Sequence, residues 1–140
     1  MGNRDQLTNE YAVQLIVDHC NKIEAVVDAV HHDFQKYEQS WWLKDILAMN
    51  ILQIGERINS NLTQDFKERN LHIPWRDYVG IRNRFAHKYF TTDDEIAWET
   101  AINDIPQLKK FCVDWLIEIN ADIPIKQNIS MVNTHLSWDD

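Results

Sequence analysis

The 140-residue sequence predicts an all-α protein, an antiparallel bundle of four to five helices. Three observations carry that expectation. Apolar residues recur every three or four positions along four long stretches, the spacing of one buried helix face. Gly and Pro number only three each, so little interrupts a helix. No run is rich in strand-forming residues, and no segment repeats.

The first helix is expected to begin at Thr8 or Asn9, with Glu10 in its first turn where a negative charge suits the helix dipole. Leu15, Ile16, His19, Ile23, Val26, Val27, Val30 and Phe34 form its apolar stripe, and Lys36 and Tyr37 lie near its end. Ser40 is placed to cap a second helix from about Trp41 to Asn61. Leu43 stands where a full capping box would have Glu or Gln. The stripe of this helix is Trp42, Ile46, Met49, Ile54, Ile58 and Leu62, widened by Ile51 and Leu52. Gly55 inside it costs about 1 kcal/mol relative to Ala, which points to another helix coming close. Residues 62–74 are a connection with a short helical turn at Gln64–Arg69.

Pro74 suits the first turn of a third helix, where its missing N–H costs nothing. That helix ends near Tyr89 or Phe90, and Thr91 to Asp94 form a turn and cap. A fourth segment runs through Trp98, Ile102, Leu108, Phe111, Cys112, Trp115 and Leu116. Pro106 either kinks it or begins a new helix after a cap at Asn103 or Asp104. Beyond Asn120 the periodicity decays. Residues 1–120 are therefore expected to form the helical domain. Residues 121–140, with Pro124 and Trp138, form a tail that is either disordered or adds an extended segment to the bundle or to a partner.

A chain of this length buries roughly two thirds of its unfolded surface and needs no metal or disulfide to hold a core. Cys20 and Cys112, both in apolar-periodic stretches, are expected to be reduced core thiols. The start lacks a leader-like apolar run, and nowhere do 18 apolar residues follow one another, so a cytoplasmic chain with no membrane partner is expected. The net charge of -8 argues against bulk attraction to nucleic acid. Its distribution is uneven. Arg76, Arg82, Arg84 and Lys88 face the single acid Asp77 within residues 76–88, a local +3 that leaves -11 for the rest.

On an ideal helix at about 100° per residue, Tyr78, Ile81, Phe85 and Tyr89 share one side of the third helix. Arg76, Gly80, Asn83, Arg84 and His87 take the other half, and Arg82 lies near the edge of the apolar side. Gly80 is consistent with another helix approaching there. Arg82 and His87 are offset by about 140°, so one regular helix does not bring them together. Either the helix unwinds near His87 or a second subunit supplies the missing group.

The segment Arg82-Asn83-Arg84-Phe85-Ala86-His87-Lys88-Tyr89 resembles the Arg-x4-His motif of the HEPN superfamily, and more narrowly the Arg-Asn-x-x-x-His-x-Tyr pattern of HepT-type toxins. Ile54-Gly55-Glu56, Ile73-Pro74-Trp75-Arg76, Trp98-Glu99 and Ile105-Pro106-Gln107-Leu108 resemble further family features in the same order, over roughly residues 8–118. The resemblance implies a helical bundle working as a homodimer, with both motif helices lining a shared cleft. The activity implied is that of a metal-independent ribonuclease, the toxin of a type VII toxin–antitoxin pair, with tRNA the family-based expectation for the RNA cut. Its implied partner is an MNT-type nucleotidyltransferase antitoxin that uses ATP and Mg²⁺ and, in part of the family, attaches AMP to the motif tyrosine, here Tyr89. This chain itself would need no cofactor.

The chemistry suits those residue types. RNA carries its own nucleophile, the 2′-OH, beside the scissile phosphate. An imidazole, with an ordinary pKa near 6.5, exchanges protons at neutral pH. A guanidinium keeps its charge and offers a planar fork to phosphate oxygens. Arg82 and His87 are thus the candidate catalytic pair, with Asn83 positioning and Glu56 orienting or neutralising Arg82. Arg76, Arg84 and Lys88 are candidate phosphate contacts. The six histidines show no metal-ligand spacing. Plainer roles fit the same residues: an ion pair with Glu56 for Arg82, a helix-end position for His87, and a core-sealing ring for Tyr89. On those roles the chain is a non-catalytic module that binds a nucleotide or a partner. His19 is expected to be a hydrogen-bonded core histidine, and His72 to flank a groove.

Overall fold

Left-handed backbone at two consecutive histidines, rather than any loss of apolar pattern, ends the first helix. The computed structural model describes residues 3–88 and 94–127, with side chains over 4–81 and 94–127. Helix α1 (Asn3–Ala29) starts earlier than the Thr8 or Asn9 cap expected, and it stops before Phe34. His31 and His32 take φ of 52° and 58°. Their N–H groups donate to Asp28 O and Val27 O, both at 3.0 Å, which satisfies the terminal carbonyls. Asp33 then caps a separate α2 (Phe34–Glu38), its Oδ1 accepting from the Gln35 and Lys36 N–H groups at 2.9 and 3.3 Å. Phe34 and Tyr37 therefore belong to a second element.

Helix α3 (Trp41–Ser60) begins as expected, with Ser40 Oγ accepting from the Leu43 N–H at 3.3 Å. Helix α4 (Gln64–Arg69) is capped by Thr63, whose Oγ1 accepts from the Phe66 N–H at 3.2 Å. The Asn9 amide ties this cap to α1, donating to Thr63 Oγ1 at 3.0 Å and accepting from the Thr63 N–H at 2.9 Å. Helix α5 (Trp75–Lys88) follows Pro74 directly. The indole Nε1 of Trp75 donates to Lys67 O and Asn70 O, at 3.2 and 3.1 Å, and so fixes α5 against the end of α4.

Helices α6 (Asp94–Glu99) and α7 (Ile105–Glu118) are joined without a break by a π-helical turn over Thr100–Asp104. Pro106 has no N–H to return to the preceding turn, and the extra residue of the π turn absorbs the mismatch. Pro106 lies in the first turn of α7, after Asp104 in the cap position, but Asp104 is itself helical and makes no side-chain cap bond, so the chain runs on without a break.

Among the described residues there are no strands, and the four long helices pack as a bundle. Helix α3 lies between α1 and α5, while α1 lies between α3 and α7. The core is built from fully buried Ile16, Ile23, Leu47, Ile54, Leu108 and Leu116. Edge-to-face rings close the α4–α5 end onto α7, with Phe66 to Trp115 at 5.0 Å and Trp75 to Phe111 at 5.8 Å. Cys20 and Cys112 are free and buried. His19 is tied to Asn50 at 2.8 Å, with Asn50 donating in turn to Ile46 O at 2.8 Å.

One expectation about packing is corrected. Met49 is 57% exposed; the buried face of α3 is Leu43, Leu47, Ile51, Ile54 and Ile58. Trp42 and Ile46, about 100° around the axis from that face, are half-buried and still pack against the core, so Met49 alone of the expected stripe is exposed. At Gly80 a Cβ would meet nothing within 4 Å among the described residues, so that position is open on the helix surface. Residues 121–127 run along α1 of the same chain. Gln14 donates to Asp122 O at 3.0 Å, Asn21 donates to Pro124 O at 3.1 Å, and Lys126 pairs with Asp28 at 2.9 Å. Trp138 lies outside the described residues.

Candidate functional site

Helix α5 positions the motif. It is continuous from Trp75 to Lys88, so Arg82, Asn83, Arg84, His87 and Lys88 all stand on α-helical backbone. Their side chains, and Tyr89 altogether, lie outside the described residues. The helix does not unwind at His87 to bring it toward Arg82. Residues 82 and 87 keep their offset of about 140°.

The inner side of α5 is anchored by apolar residues at helical spacing. Trp75 and Tyr78 are buried and Ile81 is half-buried. The Tyr78 hydroxyl donates to Asp104 O at 2.9 Å, fastening α5 to the π turn. Burial, then the neighbouring Asp104, pushes the Tyr78 phenol well above its ordinary pKa. This tyrosine is a neutral donor, not a proton shuttle.

Helix α3 runs antiparallel alongside. Ile58 and Asn59 share a groove wall with Val79 and Gly80, while Lys44 near the start of α3 pairs with Asp94 at 3.3 Å just beyond α5. That registration puts Glu56 near the level at which the motif begins. Glu56 is half-buried, and its Oε1 accepts from Ser60 Oγ at 2.9 Å.

Among the described residues, two hollows flank the exposed edge of α5. One, of about 640 Å³, lies between α4, the end of α3 and the first half of α5, and includes Asn59, Gln64, Lys67, Leu71, Arg76 and Gly80. The other, of about 500 Å³, lies toward the π turn and carries Asp77, Glu99 and Asp104 beside Arg76 and Gly80. Burial, then the charge of Asp77, raises the Asp104 carboxyl from its ordinary value. Arg76 is exposed and lines both hollows, as a phosphate contact requires.

His72 lies edge-on to Phe111 at 5.4 Å and lines neither hollow. Burial raises both the Cys20 and Cys112 thiols, which makes them poor nucleophiles. Among the described residues no three His, Cys, Asp or Glu side chains group as metal ligands, and no helix is long and apolar enough to cross a membrane. Asn59, Gln64, Lys67 and Leu71 were not singled out from the sequence. They carry no motif, and only the meeting of three helices makes them neighbours.

Comparison with known proteins bears on the whole domain. A family described as "Ribonuclease HepT-like" matches residues 16–114. The chain is 34% identical over 90 residues to a "Gamma-glutamylcyclotransferase and putative RNase" of Methanocaldococcus jannaschii, covering 64% of this chain and 40% of that protein. It is 38% identical over 62 residues to a "Probable ribonuclease HepT" of Thermococcus cleftensis, covering 44% of this chain and 56% of that protein. The chain thus spans about half the length of the curated relatives it matches. No solved structure matches it. The family match takes in α3, α4, α5, about half of α1 and most of α7, with the Arg82-to-His87 segment inside it, and the chain belongs to the HepT-like ribonuclease family.

Proposed function

We propose that this chain is a metal-independent endoribonuclease, the toxin of a type VII toxin–antitoxin pair, with Arg82 and His87 as its catalytic pair. The observation that carries the reading is an intact Arg82-Asn83…His87 segment on the continuous helix α5, inside the stretch that matches the family. In this reaction the 2′-oxygen attacks the phosphorus and gives up its proton, the P–O5′ bond breaks, and the leaving 5′-oxygen is protonated. The products are a 2′,3′-cyclic phosphate and a 5′-hydroxyl. His87 moves protons, and Arg82 holds the charge that grows on the phosphorane. Asn83 positions, Glu56 orients Arg82, and Arg76, Arg84 and Lys88 hold neighbouring phosphates. The test is cleavage of single-stranded RNA or tRNA by purified protein in EDTA. Cyclic phosphate ends support the reading, while cleavage only with added divalent metal, or none, overturns it.

The offset of about 140° between residues 82 and 87 on regular helix calls for a second subunit to complete each site. Light scattering at micromolar concentration is expected to give twice the 16.7 kDa of one chain. A monomer that still cuts RNA would remove the shared cleft from the mechanism.

Regulation follows from Tyr89, two residues past His87. An AMP group on its hydroxyl would bring bulk and negative charge to the RNA-binding face and compete for the cations that hold phosphate. The partner is then an MNT-type nucleotidyltransferase, and ATP and Mg²⁺ belong to that enzyme. Coexpression with it is expected to add one or more AMP masses to this chain, absent in Tyr89→Phe. An unchanged intact mass with toxicity still suppressed would replace covalent control by masking.

A further inference from the structure

The 640 Å³ groove beside the first half of α5 has the chemistry of a nucleotide site and opens on the stripe that leads to His87. Positions 76, 80, 83 and 87 are spaced four, three and four apart, which keeps them on one face of an α-helix. Gly80 adds no side chain to block that path, and a Cβ there would meet open space. From Gly80 to position 87 the helix rises roughly 10 Å, a short reach for an extended RNA strand.

The walls are complementary to a nucleotide part by part. Arg76 has no ion-pair partner among the described residues, and the Lys67 ammonium, held to Ile58 O at 3.2 Å, adds a second positive charge. Asn59 and Gln64 offer neutral amides, the groups that read the edge of an unstacked base. Leu71, 76% exposed, and Pro74 supply an apolar surface for a base face. The one acid here, Glu68, already accepts from Gln64 Nε2 at 3.2 Å. The indole bonds of Trp75 to the end of α4 hold the walls in place without a ligand, so binding does not have to order them. The hollow on the other side of Arg76 carries Asp77, Glu99 and Asp104 and repels phosphate, so of these two hollows the groove is the favoured path.

We propose that this groove binds the single-stranded RNA segment next to the cut phosphate, with Arg76 and Lys67 on the phosphate and Asn59 and Gln64 on the base. The proposal rests on the reading of α5 as the cleaving helix, and it is tested by binding rather than cleavage. The probe is a fluorescein-labelled, mixed-sequence hexaribonucleotide, followed by anisotropy against full-length His87→Ala protein. Adding Arg76→Ala or Leu71→Glu, both at exposed positions, is expected to weaken binding roughly tenfold, as loss of one charge-assisted phosphate contact or an added repulsion would. Lys110→Ala, whose lysine pairs with Asp114 away from the groove, is expected to change nothing. If neither groove substitution weakens binding, or the hexamer does not bind, the proposal is wrong. If the groove substitutions weaken binding but the unsubstituted chain cuts no RNA, the groove stands and the cleavage reading falls. Cleavage with an affinity indifferent to both substitutions overturns the groove alone.

Discussion

His87→Ala is expected to lower RNA cleavage by roughly 10²–10⁴-fold while leaving the helical fold intact, the range for removing a positioned proton-transfer group. The effect is large because RNA supplies its own nucleophile, so proton movement and charge stabilisation are what this protein has to add. Arg82→Ala is expected to cost roughly 10²–10³-fold, as loss of one donor to the developing charge does. Arg82→Lys should recover little of this, since an ammonium keeps the charge but not the planar fork. Single-turnover cleavage in EDTA, with circular dichroism melts of each variant, checks both. His87→Ala protein that cuts at the parental rate would give the proton transfer to another group. An unchanged rate with equally unchanged RNA binding in Arg82→Ala would make Arg82 a structural cation.

The second large effect concerns stability and the phase of α3. Leu47 is fully buried, and Leu47→Ala is expected to cost about 2–5 kcal/mol, the lost transfer free energy plus a cavity the bundle fills only in part. Met49 lies two residues on and is 57% exposed, so Met49→Ala should stay within about 0.5 kcal/mol. Urea unfolding of both variants separates the two faces. A Met49→Ala cost equal to that of Leu47→Ala would show α3 rotated by one residue from the face described. The contrast is informative because the apolar pattern of α3 had pointed to Met49.

The places where sequence and structure part share a cause. Val30 and Phe34 continue the apolar spacing of α1, and neither Gly nor Pro marks the break between them. His31 and His32 nonetheless turn left-handed, a conformation residues other than Gly rarely adopt. The compensating gain comes from α2, which Asp33 caps and which delivers Tyr37 to Trp98 at 4.9 Å. No local propensity encodes that return. The π turn is similar. Pro106 announces a disturbance, and the structure takes it up in a π turn whose Asp104 O receives the Tyr78 hydroxyl from another helix.

The sequence by itself determined the all-α class, the Ser40 cap, the span of α4, the hydrogen-bonded state of His19, the burial of Cys20 and Cys112, and the placing of the Arg82-to-His87 segment on the helix after Pro74. Each depends on residues within a few positions of one another or on the plain preference of apolar groups for the interior. Only the tertiary structure decided which flank of α3 faces α1 and α5, where α1 stops, how residues 121–127 fold back along α1, and that Asn59, Lys67 and Arg76 share one groove. Those outcomes turn on pairs far apart in the chain. A shift of one residue turns a helix by about 100°, so only the neighbours it packs against can choose the face that is buried.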